Sequence, residues 1–194
     1  MPWPPCYPAG KRCLDLGVAL ILLPPALVVL GVAALAALVV QGRPIFFCQQ
    51  RVGRHGVPFR LVKLRTMVTD SSAVTDGRSY HERDRVTSYG RMVRRLRVDE
   101  CPQLLHIVTG RMSLVGPRPL LPEHVAMVNG GGRRHDVRPG LACYAQLVLA
   151  RTGYLDKRDQ VRLDEEYVLR MSLRTDLAIL VRTVAVACHR RKIP

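Results

Sequence analysis

The feature that most constrains this chain is a long uncharged run near its beginning. From Leu16 to Val40 the sequence contains no charged residue. At a rise of about 1.5 Å per residue, a helix of this length can cross the roughly 30 Å hydrocarbon layer of a bilayer. The length of the run, without a small-residue cleavage site before a secreted domain, disfavours a cleaved signal peptide. We therefore expect the segment to stay on the mature chain and to hold it at a membrane.

Two details of this run favour a helix that turns back to the side from which it entered. Pro24 and Pro25 fall in the middle, where their missing N–H groups and their rings interrupt the helical ladder. Basic residues, which mark the cytoplasmic side, flank the run at both ends. These flanking residues are Lys11, Arg12, Arg43, Arg51 and Arg54. A re-entrant hairpin and a single-pass anchor with a tolerated kink both stay open from these residues alone.

The charge balance indicates anionic partners. Thirty Lys and Arg residues stand against fifteen Asp and Glu residues, for a formal net charge of +15. Phosphates, nucleic acid and an acidic lipid surface all suit such a chain. With one Trp and three Phe, base stacking is poorly supported, and we predict no nucleic-acid partner. The six Cys residues lie far apart without a C-x-x-C pair, which indicates reduced thiols and no zinc site.

The chain after the uncharged run predicts one α+β domain that is mostly α-helical. Its 194 residues leave room for one domain and a short appended element. The segments Ile45–Gln50 and Phe59–Arg65, joined through Gly53 and Gly56, predict a short β-hairpin. Residues 69–85 are polar and predict a loop that orders on ligand.

Helical patterns follow the hairpin. Tyr89–Leu96 and Cys101–Val108 predict two helices, and Pro102 suits the first turn of the second one. Apolar residues recur at helical spacing near the end of the sequence. They are Leu173, Leu177, Leu180 and Val184. This last helix is expected either to pack on the domain or to lie as an amphipathic helix at the membrane surface.

Asp99 and Glu100 fall at the start of the second predicted helix. Adjacent acids in that place commonly cap free N–H groups. Basic surroundings favour chemistry instead, because arginines bind phosphate, and carboxylates beside phosphate hold Mg²⁺ or attack phosphorus. The arginines concerned are Arg91, Arg94, Arg95, Arg97 and Arg118. Pro117 and Pro119 restrict the backbone on both sides of Arg118, which predicts a rigid phosphate clamp.

Three groups of motifs between Lys11 and Thr183 carry a family resemblance. The first contains Lys11-Arg12, Asp15, Phe46-Phe47, Gln50-Arg51, Gly53 and Lys63-Leu64-Arg65-Thr66-Met67. The second contains Thr87, Gly90, Arg94, Asp99-Glu100, Pro102-Gln103, Gly110, the run Met112 to Pro119, and Glu123. The third contains Arg138-Pro139-Gly140, Gln146, Asp164, Tyr167, Ser172, Asp176 and Thr183. In this order and spacing the chain resembles the bacterial sugar transferases, the short single-domain form of the monotopic polyprenyl-phosphate phosphoglycosyl transferases.

The resemblance implies a two-step reaction. Asp99 would attack the β-phosphorus of a UDP-sugar, release UMP and pass the phosphosugar to polyprenyl phosphate, which begins the synthesis of a glycoconjugate. Asp99 and Glu100 would hold Mg²⁺, and Glu100 would also manage protons. The residues expected to bind substrate are Lys63, Arg65, Arg94, Gln103, Pro117, Arg118, Pro119 and Arg138.

The resemblance also implies where each part of the chain lies. Residues 1–44 would form a proline-broken re-entrant membrane anchor. Residues 45–194 would form the catalytic domain, with interfacial amphipathic helices, on the cytoplasmic face of the bacterial inner membrane. Membrane lipid is therefore an expected partner, and self-association as a homodimer is left open.

The sequence departs from the family pattern at three places. His106 stands where an Asn is usual, and we expect a local packing change there. Leu141–Tyr144 occupies a Thr-Gly position, and Leu147–Gly153 lacks an Asn-Gly-Arg-Asn-like run, both of which concern sugar or nucleotide recognition. A degenerate family member, a non-catalytic basic module that binds polyanions, and a nucleophilic Cys101 or Cys143 are the alternatives to the main hypothesis.

Overall fold

The computed structural model describes residues 7–68, 85–128 and 132–189. The helices are α1 (Tyr7–Gln41), α2 (Ser88–Arg95), α3 (Gln103–Val108), α4 (Pro122–Met127), α5 (Tyr144–Thr152), α6 (Lys157–Leu169) and α7 (Leu173–His189). The strands are β1 (Phe46–Val52), β2 (Pro58–Leu64), β3 (Ser113–Val115) and β4 (Gly140–Ala142). The predicted mostly helical α+β architecture is confirmed. The loop predicted over residues 69–85 lies, except for its last residue, outside the described residues.

Strands β1 and β2 form the predicted hairpin. They pair antiparallel, with Phe46 opposite Leu64 and Val52 opposite Pro58. A short 3₁₀ turn joins them, and His55 and Gly56 both have positive φ angles there. Glycine adopts such a conformation without steric cost, which explains why one of the two glycines stands in this connection.

Strands β3 and β4 form a second, parallel pair that the sequence did not predict. Ser113 pairs with Gly140 and Val115 with Ala142. Each strand has three residues, which is too short to show an alternating pattern. The pair nevertheless bears on the predicted site, because the chain enters the Pro117–Pro119 segment directly from β3.

Helix α1 runs without interruption through Pro24 and Pro25. The expected break between two helices is thus absent from the secondary structure. A continuous helix satisfies nearly all backbone groups of an apolar segment, which offsets the loss of two N–H donors. By length and composition Gly10–Gln41 can cross a membrane. The re-entrant course of this helix stays a prediction, as does the division of the chain at residue 44.

One face of α1 packs on the rest of the protein along most of its length. Ala19 and Ala37 are almost fully buried there, while the other faces carry exposed apolar side chains. The exposed set includes Leu20, Ile21, Leu27, Val28, Val32, Leu35, Leu38, Val39 and Val40. A continuous apolar surface of this kind exceeds what soluble monomers expose, and it suits contact with lipid.

Helix α7 combines the two roles that its sequence left open. Ile179 is buried and Leu180 packs beside it, so one face of the helix belongs to the core. Leu173, Leu177 and Val184, three of the four residues that defined the predicted stripe, are exposed on the outside. The helix is therefore packed on the domain and still presents an apolar outer face.

Two groups of buried side chains stabilise the domain. The first core contains Ala19, Leu61, Leu104, Ile107, Met112, Leu114, Val115, Ala142, Leu147, Tyr167, Val168, Met171 and Ile179. The second core contains Leu30, Ala37, Leu64, Tyr89, Val93 and Val98. A 3₁₀ turn, Val98–Glu100, connects α2 with α3 and also joins the two cores. Val98 belongs to the second core, and Leu104 of α3 belongs to the first. The acidic pair lies at this junction.

Candidate active site

Asp99 and Glu100 lie in the 3₁₀ turn Val98–Glu100, just ahead of α3, as the sequence predicted. Arg97, directly before the turn, has the left-handed conformation with φ of 60° and redirects the chain after α2. Val98 anchors the turn in the second core. Asp99 is 8% exposed, so its carboxylate is held mostly away from water.

Glu100 is held by two basic side chains. Lys63 Nζ lies 3.1 Å from its Oε1, and Arg97 Nη1 lies 3.1 Å from its Oε2. Burial opposes ionisation, but Lys63, Arg97 and Arg118 together outweigh burial and lower the pKa of Glu100. Glu100 is therefore a paired, ionised carboxylate at neutral pH.

Asp99 differs sharply from its neighbour. Its Oδ1 is buried and has no hydrogen-bond partner within the described residues. Burial, followed by the negative charge of Glu100, raises the pKa of Asp99, while Lys63 and Arg94 act in the opposite direction. A buried polar atom without a partner is costly, and its presence at a conspicuous acidic site indicates a function. Asp99 has an oxygen available for a metal ion or for a phosphorus atom.

Arg94 approaches the acidic turn from α2. Thr87 caps this helix by accepting a hydrogen bond from the backbone N–H of Gly90 at 2.9 Å. On the last turn, Arg94 Nε donates to Thr66 Oγ1 at 2.8 Å, which fixes the side chain beside the strand that carries Lys63. Lys63 and Arg94 thus border the acidic pair, and their role in substrate binding stays a prediction.

The segment Pro117–Pro119 is fixed through its backbone. Gly140 N–H donates to the carbonyl oxygen of Pro117 at 2.9 Å, and Arg51 Nη1 donates to that of Pro119 at 3.0 Å. Arg118 lies between these tethers, half-buried and close enough to lower the pKa of Glu100. Its guanidinium has no hydrogen-bond partner among residues 7–68, 85–128 and 132–189. The fixed backbone and the available guanidinium are consistent with the predicted rigid phosphate clamp. Binding of phosphate by Arg118 stays a prediction.

Close backbone contact explains two glycines of the motifs. A Cβ on Gly140 would overlap the backbone nitrogen of Gly116, and a Cβ on Gly116 would lie 2.5 Å from the carbonyl oxygen of Arg138. Neither position accepts a side chain without backbone movement. The two segments that precede Pro117 and follow Pro139 can therefore meet at van der Waals distance.

Three other predicted substrate-binding residues are buried or are bonded to the protein itself. Arg65 is 6% exposed, and its Nη2 donates to the carbonyl oxygens of Gln41 and Gly42, at the C-terminal end of α1. Arg138 Nε donates to the carbonyl oxygen of Gly110 at 2.8 Å. Gln103 is buried at the start of α3. For these three residues a role in substrate binding stays a prediction.

The two cysteine candidates are unsuited to nucleophilic attack. Burial, followed by the charges of Asp99 and Glu100, raises the pKa of Cys101. Burial raises the pKa of Cys143 to about 12, and its Sγ accepts a hydrogen bond at the start of α5. Since the thiolate is the reactive form, both residues are expected to be inert near neutral pH.

His106, one of the departures from the family pattern, packs from α3 against β2. Its Nε2 lies 3.3 Å from the backbone nitrogen of Val62 and accepts the hydrogen bond that this N–H donates. Its ring meets that of Phe59 edge to face, with centroids 5.7 Å apart. Burial lowers the pKa of His106, so the neutral ring is the favoured form. The imidazole therefore connects β2 with α3.

The acidic pair fits the ligand needs of Mg²⁺, although no group of three or more His, Cys, Asp and Glu residues forms a metal cluster in the described part of the chain. Mg²⁺ commonly uses one or two carboxylates and completes its coordination with substrate phosphates and water. Asp99 offers an unpartnered Oδ1. Glu100 would join it if its ion pair with Lys63 opened.

Sequence reasoning predicts no role for Arg134, which the structure brings to the Pro117–Pro119 segment. Arg134 lies in the 3₁₀ turn Gly132–Asp136 and pairs with Asp164 of α6. Asp164 belongs to the family pattern, which predicts no specific function for it. The local sequence Arg133-Arg134-His135 is typical of a solvent-exposed basic segment. Arg134 is nevertheless only 3% exposed.

Three similar proteins are named as sugar transferases or glucose phosphotransferases. "Uncharacterized sugar transferase EpsL" of Bacillus subtilis is 39% identical over 176 residues, which cover 90% of this chain and 85% of that protein. "Undecaprenyl-phosphate glucose phosphotransferase" of Komagataeibacter xylinus is 37% identical over 190 residues, and the match covers 90% of this chain but 35% of that protein. "UDP-glucose:undecaprenyl-phosphate glucose-1-phosphate transferase" of Caulobacter vibrioides is 38% identical over 181 residues, covering 90% of this chain and 68% of that protein.

The family assignment extends over nearly the whole chain. Residues 6–190 match the family described as bacterial sugar transferase. This range contains α1, the acidic turn, the Pro117–Pro119 segment and α7 together. With a match of this extent and relatives of this similarity, the chain belongs to the bacterial sugar transferase family.

Proposed function

We propose that the chain transfers a sugar-1-phosphate from a UDP-sugar to polyprenyl phosphate and releases UMP, at the cytoplasmic face of the bacterial inner membrane. The observation that carries the proposal is the carboxylate of Asp99, which is buried and has an unpartnered oxygen beside Lys63 and Arg94. The names of two of these relatives, which combine undecaprenyl phosphate with transfer of glucose phosphate, support the same class of reaction.

In the first step a carboxylate oxygen of Asp99 attacks the β-phosphorus of the UDP-sugar. The new bond joins Asp99 to the sugar phosphate. The bond between the β-phosphorus and the bridging oxygen breaks, and its electron pair leaves on UMP. Arg118, Arg94 and Lys63 would stabilise the negative charge that builds up on the phosphate oxygens, because fixed cations act most strongly in a partly dehydrated site.

In the second step the phosphate of the polyprenyl acceptor attacks the same phosphorus. The bond to Asp99 breaks, its electron pair returns to the carboxylate, and the product is a polyprenyl diphosphate sugar. No net proton transfer is needed when the acceptor phosphate is ionised. Glu100 is paired with Lys63 and Arg97, and its pair with Lys63 would open when Glu100 holds Mg²⁺.

Asp99 and Glu100 are the residues that would hold Mg²⁺. The ion would offset the repulsion between the attacking carboxylate and the diphosphate. Arg118 and Arg94 supply positive charge from the protein itself. Both contributions address the same difficulty, which is to bring anions together.

The apolar surfaces support a place for the reaction at the bilayer. Exposed apolar residues cover α1 and the outer face of α7. A polyprenyl acceptor is confined to the membrane while a UDP-sugar is soluble, so that an enzyme resting in the headgroup layer brings the two together. Basic residues flank α1 at both ends, in agreement with a cytoplasmic catalytic side.

The test is a single-turnover experiment on the full chain in lipid nanodiscs. The chain is mixed with Mg²⁺ and a panel of UDP-sugars that includes UDP-glucose and UDP-N-acetylgalactosamine, the sugars that names of relatives mention. Without acceptor, we expect one equivalent of UMP and a protein mass increased by one phosphosugar at Asp99. Addition of undecaprenyl phosphate should then start turnover. Asp99→Asn should give neither the UMP burst nor the adduct, whereas the matched control Asp159→Asn, on the exposed side of α6, should behave as the wild type.

Other results lead to different conclusions. UMP release that requires the acceptor and leaves no adduct would indicate direct transfer in a single step. No UMP with any sugar, together with salt-dependent binding of polyanions that ignores the loss of Asp99, would favour a non-catalytic basic module.

A further inference from the structure

The backbone of Arg118 is held by a buried ion pair. Arg134 Nη2 lies 2.9 Å from Asp164 Oδ2, and the same nitrogen donates a hydrogen bond to the carbonyl oxygen of Arg118. Burial raises the pKa of Asp164 to about 7, while the charge of Arg134 opposes that rise. Arg134, paired with Asp164, therefore contacts the backbone of Arg118 directly.

Stability alone gives a poor account of this pair. Arg134 is 3% exposed and Asp164 is 1% exposed, so both charges are almost completely removed from water. The desolvation cost of such a pair roughly cancels its attraction, and apolar replacements of similar volume are often neutral or stabilising. A geometric role explains better why the charges meet at one peptide segment.

The ion pair completes a set of hydrogen bonds to the backbone of the Pro117–Pro119 segment. Gly140 holds the carbonyl oxygen of Pro117, and Arg51 holds that of Pro119. With Arg134 on the carbonyl oxygen of Arg118, three consecutive carbonyl groups are fixed by three different elements. The guanidinium between them is left for an anion from outside the protein. An arginine whose backbone is immobile loses less entropy when it binds a phosphate group.

We propose that Arg134 and Asp164 are positioning residues that fix Arg118 for contact with the diphosphate of the UDP-sugar. This inference rests on the proposed function, because it assigns Arg118 to that substrate. Neither Arg134 nor Asp164 touches substrate itself. Their effect is expected to pass through the backbone of Arg118.

A double-mutant cycle separates this role from general stabilisation. We would measure KM for the UDP-sugar, kcat and Tm for the wild type, Asp164→Asn, Arg118→Gln and the double variant, all as full chains in nanodiscs. Asp164→Asn should raise KM about tenfold in the wild-type background, and less than about twofold where Arg118 is already replaced, because effects that act through one residue do not add. Glu166→Gln, which removes an exposed pair with Arg170 on the same helix, is the matched control and should leave KM unchanged.

A second cycle covers a variant that fails to fold. If Asp164→Asn gives no folded protein, Arg134→Lys replaces it, since lysine keeps the charge but cannot reach Asp164 and the Arg118 carbonyl with one planar group. The inference is supported if Arg134→Lys raises KM for the UDP-sugar more in the chain that keeps Arg118 than in the chain that carries Arg118→Gln. Equal effects of either substitution in both backgrounds overturn it. Wild-type protein without transferase activity would instead overturn the proposed function, before the cycle is interpreted.

Discussion

Two groups of buried carboxylates in this protein differ in how far their oxygens are partnered. In the anchor network, which consists of Lys11, Asp15, Ser113, Tyr167 and Asp176, every carboxylate oxygen has a partner. Asp176 accepts from Lys11 Nζ at 2.5 Å and from the Tyr167 hydroxyl at 2.7 Å. Asp15 accepts from Ser113 Oγ at 2.6 Å and from the backbone N–H of Leu114 at 3.1 Å.

The acidic turn presents the contrasting case. Glu100 is paired, but Asp99 Oδ1 has no hydrogen-bond partner in the described part of the chain. Asp15 and Asp176 are buried at least as deeply as Asp99, so burial alone does not separate the two groups. The difference indicates that the satisfied carboxylates of the anchor network serve the fold, whereas the unpartnered oxygen of Asp99, beside the basic residues of the acidic turn, indicates where a ligand or a reacting atom belongs.

The largest expected effect concerns activity at the acidic turn. Asp99→Asn removes the attacking oxygen while the surrounding packing is kept. We expect UMP release to fall by at least about 10³-fold, the scale on which loss of a nucleophile acts. A steady-state UMP assay measures this. Nearly normal turnover would break the comparison, because the unsatisfied carboxylate would then have no chemical role.

The next effect concerns stability at the anchor network. Lys11→Met keeps the length of the side chain but leaves Asp176 buried without its cation. We expect a loss of about 3–5 kcal/mol in the free energy of unfolding, as for broken buried ion pairs. Denaturation in detergent measures it, with Glu166→Gln as the surface control. A loss as small as that of the control would show that the anchor network does not support the fold.

A smaller effect is expected at Glu100. Glu100→Gln removes the charge that, with Asp99, would hold Mg²⁺. We expect the Mg²⁺ concentration for half-maximal activity to rise about tenfold, as for loss of one interaction worth roughly 1.4 kcal/mol. A Mg²⁺ titration of the UMP assay, repeated in the presence of a chelator, measures the shift. An unchanged titration would leave Glu100 as a structural partner of Lys63 and Arg97.

The smallest expected effect is an increase in stability, opposite in sign to the loss expected for Lys11→Met. The pKa of Asp99 is raised in the folded state, so the stabilising contribution of its protonated form is present at acidic pH and lost as pH rises through the folded pKa. Above that pH range the negative charge of Asp99 therefore costs stability. Asp99→Asn should raise Tm by about 2–4 °C in chelator at pH 7, the shift that roughly 1 kcal/mol gives for a chain of this size. A fall in Tm would mean that Asp99 also has a structural role.

Sequence reasoning succeeded where the signal is local. The long apolar helix, the hairpin of β1 and β2, and the acidic pair ahead of α3 are each encoded within a short stretch. The motif order identified the family, and the family match over residues 6–190 confirmed it. Such features depend on side-chain periodicity, turn residues and spacing, which one sequence displays directly.

The remaining features depend on contacts between distant residues. The parallel pair of β3 and β4 has strands too short for a pattern, and it forms because Gly116 and Gly140 let two backbones meet. The contacts of Arg65 with the carbonyl groups at the end of α1 were likewise not evident from the sequence, and its role in substrate binding stays a prediction. A single sequence does not reveal which acceptor a buried arginine reaches, since the answer depends on the packing of other elements.

The packing of α1 has a practical consequence for biochemical work. Its residues Ala19 and Ala37 are built into the first and second cores, and Lys11 supplies the cation of Asp176. Deleting the helix to obtain a water-soluble enzyme would open both cores and strand a negative charge inside the protein. Solubilisation should therefore rely on the choice of amphiphile, with the hydrophobic helix retained as a part of the catalyst.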